Sequence, residues 1–184
     1  MEKITQIIQL IISARGRVTK TGLLKLLFIV DEYSITHTGR PITDLDYKIW
    51  QFGPVSEQLL NAIDTNSLEL HEGYILNKRD NETYFNTENN PEPSKDLLSK
   101  NEDTLISYAL NEVSGIKDGD LVKYLHSEGS LWRVQASKLG VLEALESNST
   151  TKTDHSIDFK VLIEGNPRLI ANFERHQENV LFFS

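Results

Sequence analysis

The residues able to do chemistry are scattered along this chain. Five histidines, His37, His71, His126, His155 and His176, are of the type that titrates near neutral pH and ligates metals. No two of them stand three or four residues apart, the spacing that aims two imidazoles from one helix at one ion. Asp44, Asp46, Asp118 and Asp120 could do paired acid–base work only if the fold brings two of them into one pocket. No serine lies in a G-x-S-x-G or S-x-x-K pattern, and neither G-x-x-x-x-G-K-[ST] nor G-x-G-x-x-G occurs. The absence of cysteine removes thiol nucleophiles, disulfides, iron–sulfur clusters and Cys-based zinc sites. The expectation is therefore no catalytic, cofactor-binding or metal-ligating residue, no cofactor, and no enzyme.

Arg15, Arg17, Lys20 and Lys25 form the one basic cluster, at a junction that resembles helix–turn–helix. A recognition helix needs a polar, basic face for phosphates and base edges. The helix after this turn is instead almost wholly apolar from Gly22 to Val30, so it belongs to a core. That argues against nucleic acid as a partner.

The elements that must position these residues can be read from periodicity. Ile4, Ile7, Ile8, Ile11 and Ile12 recur at helical spacing and predict a helix over 2–14, ended near Gly16. A second helix runs from Thr19 or Thr21 to Thr38, with Gly39 as its left-handed cap, and should lie at the centre of the domain. Residues 46–52 predict a strand, which Gly53-Pro54 breaks, with Pro54 opening the next helix. Residues 68–76 and 82–86, around the polar KRDN, predict a hairpin. Helices are expected over 94–113, 118–126 and 132–145. Beyond the linker-like 147–154 come a strand over 157–163, a helix from Asn166-Pro167 to His176, and the apolar run VLFF at 180–183. The sum is a helix-dominated α+β fold: a central buried helix, surrounding helices and a small antiparallel sheet. Residues 1–146 form the domain and 147–184 a linker with a strand and helix extension.

With 184 residues, the chain suits one domain with an appendage. Its composition, 39% apolar and 25% charged, is that of a soluble globular protein. No run approaches 18 apolar residues, and the first helix lacks a cleavage site, so the expected setting is the cytoplasm and no membrane. The net charge is −8. Residues 1–62 hold 7 basic against 6 acidic side chains, and 63–184 hold 12 against 21, so the acidity belongs to the later part. An acidic face could seek a basic partner. The apolar end either closes the small sheet as a last strand, or docks on a partner or a second copy of the chain.

Residues 25–55, KLLFIVDEYSITHTGRPITDLDYKIWQFGPV, resemble the Panacea (SocA-like) antitoxin domain, a family first described as a phage-associated domain of unknown function. Leu26, Leu27, Phe28, Asp31, Tyr33, Gly39, Arg40, Pro41, Ile42, Tyr47, Trp50, Gly53, Pro54 and Val55 follow its pattern in order, with Phe52 where the family often has Tyr. LVKYLHSEGSLW, residues 121–132, is similar to its later helix, which ends in a His and is followed by Gly and Trp. The resemblance covers residues 5–140 and leaves 150–184 unassigned. It implies an antitoxin that binds a cognate toxin directly, and in some members an adaptor that delivers the toxin to a protease. Gly39, Arg40, Pro41, Gly53, Pro54, His126 and Trp132 are then expected to define the fold. His126 and Trp132 would supply a buried hydrogen bond and a packing anchor. Tyr47 and Trp50, facing opposite sides of their strand, and Phe182 with Phe183 are the candidate partner contacts. The rival readings are a DNA-binding regulator, which requires the Arg15–Lys25 cluster to be exposed, and an uncharacterised hydrolase, which requires carboxylates or histidines converging in a pocket.

Overall fold

The structure, a computed structural model, describes residues 1–79 and 82–183, with Phe183 by its backbone alone. Helix α1 (Glu2–Arg15) buries its isoleucine stripe, and Gly16 ends it at φ 71°. A short strand β1 (Arg17–Thr19) leads into α2 (Lys20–Thr38). Thr19 caps α2 by accepting from the Gly22 N–H, while its own N–H donates to Asp118 Oδ2 at 2.6 Å. Leu23 to Asp31 are all buried, so α2 is the central helix its apolar run predicts. Gly39 closes it at φ 74°, its N–H donating to the Ile35 carbonyl.

The next segment departs from expectation. The strand β2 (Lys48–Trp50) is shorter than 46–52, and Gly53–Val55 pair with it as β3 rather than opening a helix. Pro54 is tolerated there because its partner Ile49 donates its N–H outward, to the His155 carbonyl at 2.9 Å. Helix α3 (Glu57–Asp64) starts only where Ser56 can cap it. The hairpin consists of β4 (Tyr74–Arg79) and β5 (Glu82–Thr87); of KRDN, residues 80 and 81 lie outside the described residues. β1 joins the hairpin antiparallel, Val18 opposite Phe85, in the order β1-β5-β4.

Helix α4 (Lys100–Glu112) begins later than the expected 94, because Ser99 and Glu102 form a capping box that sets its first turn. α5 (Asp118–Leu125) follows as expected. The helix expected over 132–145 is two, α6 (Leu131–Lys138) and α7 (Leu142–Glu146), parted at Gly140 with φ 70°. Residues 151–157 lie along β2: the Gln51 N–H donates to the Thr151 carbonyl and the Ile157 N–H to the Tyr47 carbonyl. The strand expected over 157–163 does not form. Asp158 accepts from the Lys160 N–H and winds the chain into a 3-10 helix over Phe159–Leu162. The apolar end does not form a strand either. Phe173 and Val180 continue a helical face, and α8 runs unbroken over Pro167–Phe183. The result is a helix-dominated α+β fold in which Ile157, Phe159 and Ile163 of the C-terminal segment share the core of α2.

Candidate functional site

The residues of the family pattern gather around two buried polar groups of α2. The first is Asp31, 0% exposed. Its Oδ1 accepts from the backbone N–H groups of Ile42 and Thr43 at 2.7 and 2.9 Å, and its Oδ2 from the hydroxyls of Thr43 and of Tyr47, the latter at 2.9 Å. Burial pushes the carboxyl pKa up, while the Thr43, Ile42 and Tyr47 donors pull it back. One carboxylate thus fixes the whole turn after Gly39. Ser34 completes it by donating to the Arg40 carbonyl at 2.7 Å, leaving the Arg40 side chain exposed.

The second is Lys25, whose Nζ donates to the Pro54 carbonyl at 2.8 Å. Desolvation lowers its pKa from 10.5 to about 7. Gly53, at φ 91°, passes so close to Lys25 and His126 that a Cβ would stand 3.3 Å from Lys25 Cε and 3.7 Å from His126 Nε2. His126 lies flat on Trp132, ring centroids 3.7 Å apart and planes within 1°. Trp132 Nε1 donates to the Trp50 carbonyl at 3.0 Å. The expected hydrogen bond is therefore the tryptophan's, and His126 Nε2 is buried without a partner among the described residues. Burial, then the nearby charges of Lys25 and Arg133, lower the His126 pKa to about 4, so the ring is neutral at pH 7.

The four candidate contact residues part company. Tyr47 is 1% exposed and sits edge-on to Phe28, so it offers no surface in this fold. Trp50 is half-buried, and Lys152 Nζ lies 4.2 Å above its ring. Phe182 is 83% exposed on the last turn of α8, while the Phe183 side chain lies outside the described residues. Sequence reading passed over Phe52 as a contact; it stands 63% exposed at the tip between β2 and β3. Its place beside Gly53 at a strand break was the available signal.

The basic cluster is dispersed. Arg15 donates to the Val113 and Ile116 carbonyls, Arg17 pairs with Glu82, Lys20 with Asp64, and Lys25 is buried. Arg15 and Lys25 are thus tied to carbonyls of the fold, while Arg17 and Lys20 stand in exposed ion pairs. A cleft of about 990 Å³ between α1, α4 and residues 92–96 contains Arg15 and His71 but no residue of the family pattern. Among the described residues, no three His, Cys, Asp or Glu side chains stand together to hold a metal ion, and no helix is long and apolar enough to cross a membrane.

The buried polar groups thus shape the backbone around α2, and the exposed aromatic and apolar side chains at its edges are what another protein could touch. No curated protein and no solved structure matches the chain. A family model does match, over residues 23–133, from the buried run of α2 to the first turn of α6, and by it the chain belongs to the antitoxin SocA-like, Panacea domain family.

Proposed function

We propose that the protein is an antitoxin that neutralises a cognate toxin by direct contact and has no catalytic step of its own. The observation that carries this reading, beside the family, is the end of α8. Phe173 packs on the core, Asn172 donates to the Thr38 carbonyl at 3.0 Å, and His176 meets Asp44 at 2.6 Å. The helix is therefore held against the body. One turn further on it presents Val180, Leu181 and Phe182 at 39%, 76% and 83% exposure. An anchored helix ending in exposed apolar side chains suits docking in a partner's groove. The excess acidic charge of residues 63–184 would steer a basic toxin towards it. Delivery of the bound toxin to a protease is a second step open to the same complex.

The test is growth on expressing the neighbouring open reading frame alone and together with this protein. Arrest alone, rescue together and co-elution of the two proteins are expected. Rescue without co-elution would replace occlusion by transcriptional control or toxin degradation. A harmless neighbour would remove the reading.

A further inference from the structure

Lys25 and His126 bring complementary, unspent hydrogen-bonding capacity to one enclosed place. The Lys25 side chain is 1% exposed, and its amine keeps two N–H groups when neutral and three when charged. It gives one of them to the Pro54 carbonyl at 2.8 Å, and among the described residues that is its one bond. His126 Nε2 is the converse case, a buried ring nitrogen with no partner among the described residues. The two atoms meet at Gly53. A Cβ on that residue would stand 3.4 Å from Lys25 Nζ and 3.7 Å from His126 Nε2, so both border the space that the missing side chain leaves beside β3. Trp132 covers the imidazole face at 3.7 Å, and its one N–H is committed to the Trp50 carbonyl, so it has nothing to offer Nε2.

A donor and an acceptor enclosed side by side without partners are both costly, and one group that accepts from the first and donates to the second relieves both. A metal ion does neither and is repelled by an ammonium; a halide accepts but cannot donate. A water molecule does both, and buried waters characteristically join polar groups in this way. We propose that the space beside Gly53 is a one-water site, in which the water accepts from Lys25 Nζ and donates to His126 Nε2. The ring proton then resides on Nδ1, because the bond made at one imidazole nitrogen fixes the tautomer. The charges around the ring agree with a neutral imidazole whose Nε2 is free to accept. Lys25 of α2 and Arg133 of α6 disfavour the imidazolium; Glu146 of α7 favours it but is paired with Arg133 at 2.6 Å. His126 is thereby a positioning residue: through the water it steadies the amine that holds β3 on α2. Phenylalanine would stack on Trp132 as well, but only a ring with an acceptor can do this.

The test is NMR on the full chain, labelled with ¹⁵N and with ¹³C-lysine. At pH 7 the ring nitrogens of wild-type His126 should show Nδ1 protonated and Nε2 bare, and the Gly53 Hα protons should give a cross-peak to a long-lived water. His126→Phe keeps a ring on Trp132 and removes the acceptor. It should lose the water cross-peak and move the Lys25 titration midpoint down by about 1 pH unit, because the ammonium loses part of its hydrogen bonding. His126→Gln, whose amide oxygen reaches about as far as Nε2, should restore both. A histidine that only packs would leave the Lys25 midpoint unmoved. A protonated Nε2, a wild-type Gly53 without a water contact, or an unmoved Lys25 midpoint in folded His126→Phe each overturns the site. The first two are read on wild type, so they decide the matter even where His126→Phe does not fold.

Discussion

Lys25 in the second turn of α2 and Pro54 in β3 are joined by a hydrogen bond from which bulk water is excluded, Nζ to carbonyl oxygen at 2.8 Å with Lys25 1% exposed. The proline has no N–H to give, and its strand partner Ile49 bonds elsewhere, so the carbonyl is the one polar group this residue offers. The amine that takes it stands 29 residues earlier, on the helix around which the domain is built. The distance between central helix and β3 is thereby set by a side chain long enough to reach and buried enough to stay.

This bond gives stability a specific pH dependence. The ordinary lysine pKa is 10.5, and the folded protein lowers that of Lys25 to about 7. Between those values the unfolded chain holds a proton that the folded chain has released. The contribution of Lys25 to stability is therefore worst below pH 7 and improves as pH rises from 7 to 10.5. Urea unfolding at pH 7, 8 and 9 should show wild type gaining up to about 1.4 kcal/mol per pH unit relative to Lys25→Met. Parallel profiles for the two proteins would mean that the amine is solvated.

Asp31 does a comparable task with opposite chemistry, accepting from two amides and two hydroxyls. Asp31→Ala leaves the Ile42 and Thr43 amides buried without an acceptor and should cost about 3 kcal/mol or more. Asp31→Asn should be far milder. Its carbonyl can still take both amides, and the Thr43 and Tyr47 hydroxyls can turn to accept from the new NH₂ group. Hydrogen exchange at Ile42 and Thr43 separates the cases: fast in Asp31→Ala, near wild type in Asp31→Asn. Fast exchange in both would show that the charge, rather than the acceptor geometry, holds the turn.

How much of this could be read beforehand follows from which signals are local. The isoleucine stripe of α1, the apolar run of α2 and the cap at Gly39 are encoded within a few residues of where they act, and they formed as expected. β3 did not, because a Gly-Pro pair reads as a break unless Ile49 is known to send its N–H to His155 over a hundred residues later. The 3-10 helix at Phe159 depends on one side-chain cap at Asp158, which composition does not separate from a strand end. The motif residues could be picked out from their order along the chain, but not the bonds by which Lys25 and Asp31 of α2 reach the turns at Pro54 and at Ile42 and Thr43. Lys25 looked like one member of a basic cluster, and Asp31 was a residue of the family pattern to which spacing alone gave no task.

Gly39, at the end of α2, lies directly against α8. A Cβ there would stand 2.3 Å from the Leu169 carbonyl oxygen and 3.0 Å from Asn172 Cβ, and the residue already needs φ 74°. Gly39→Ala thus combines a left-handed backbone penalty with a collision against helix backbone, and should cost about 2 kcal/mol or more. The collision is with α8 itself, so limited proteolysis should cut within residues 147–184 before it touches the remainder. A melting temperature within a degree of wild type, with α8 still protected, would mean that the helix shifts aside at no cost.

The end of α8 is where folding and function should separate. Leu181 and Phe182 are 76% and 83% exposed, so truncating them removes little buried surface. Surface changes of this kind alter stability by about 0.5 kcal/mol or less. The double variant Leu181→Ala, Phe182→Ala should therefore melt with wild type. Its affinity for the toxin should nevertheless fall by ~10-fold or more, the loss expected when apolar anchors leave a docking helix. Phe173→Ala is the counterpart on the same helix: this ring packs on the core, so its loss should lower the melting temperature. Calorimetry paired with a pull-down on each variant reads both quantities. A double variant that binds as wild type would move the contact away from α8, towards the exposed Phe52.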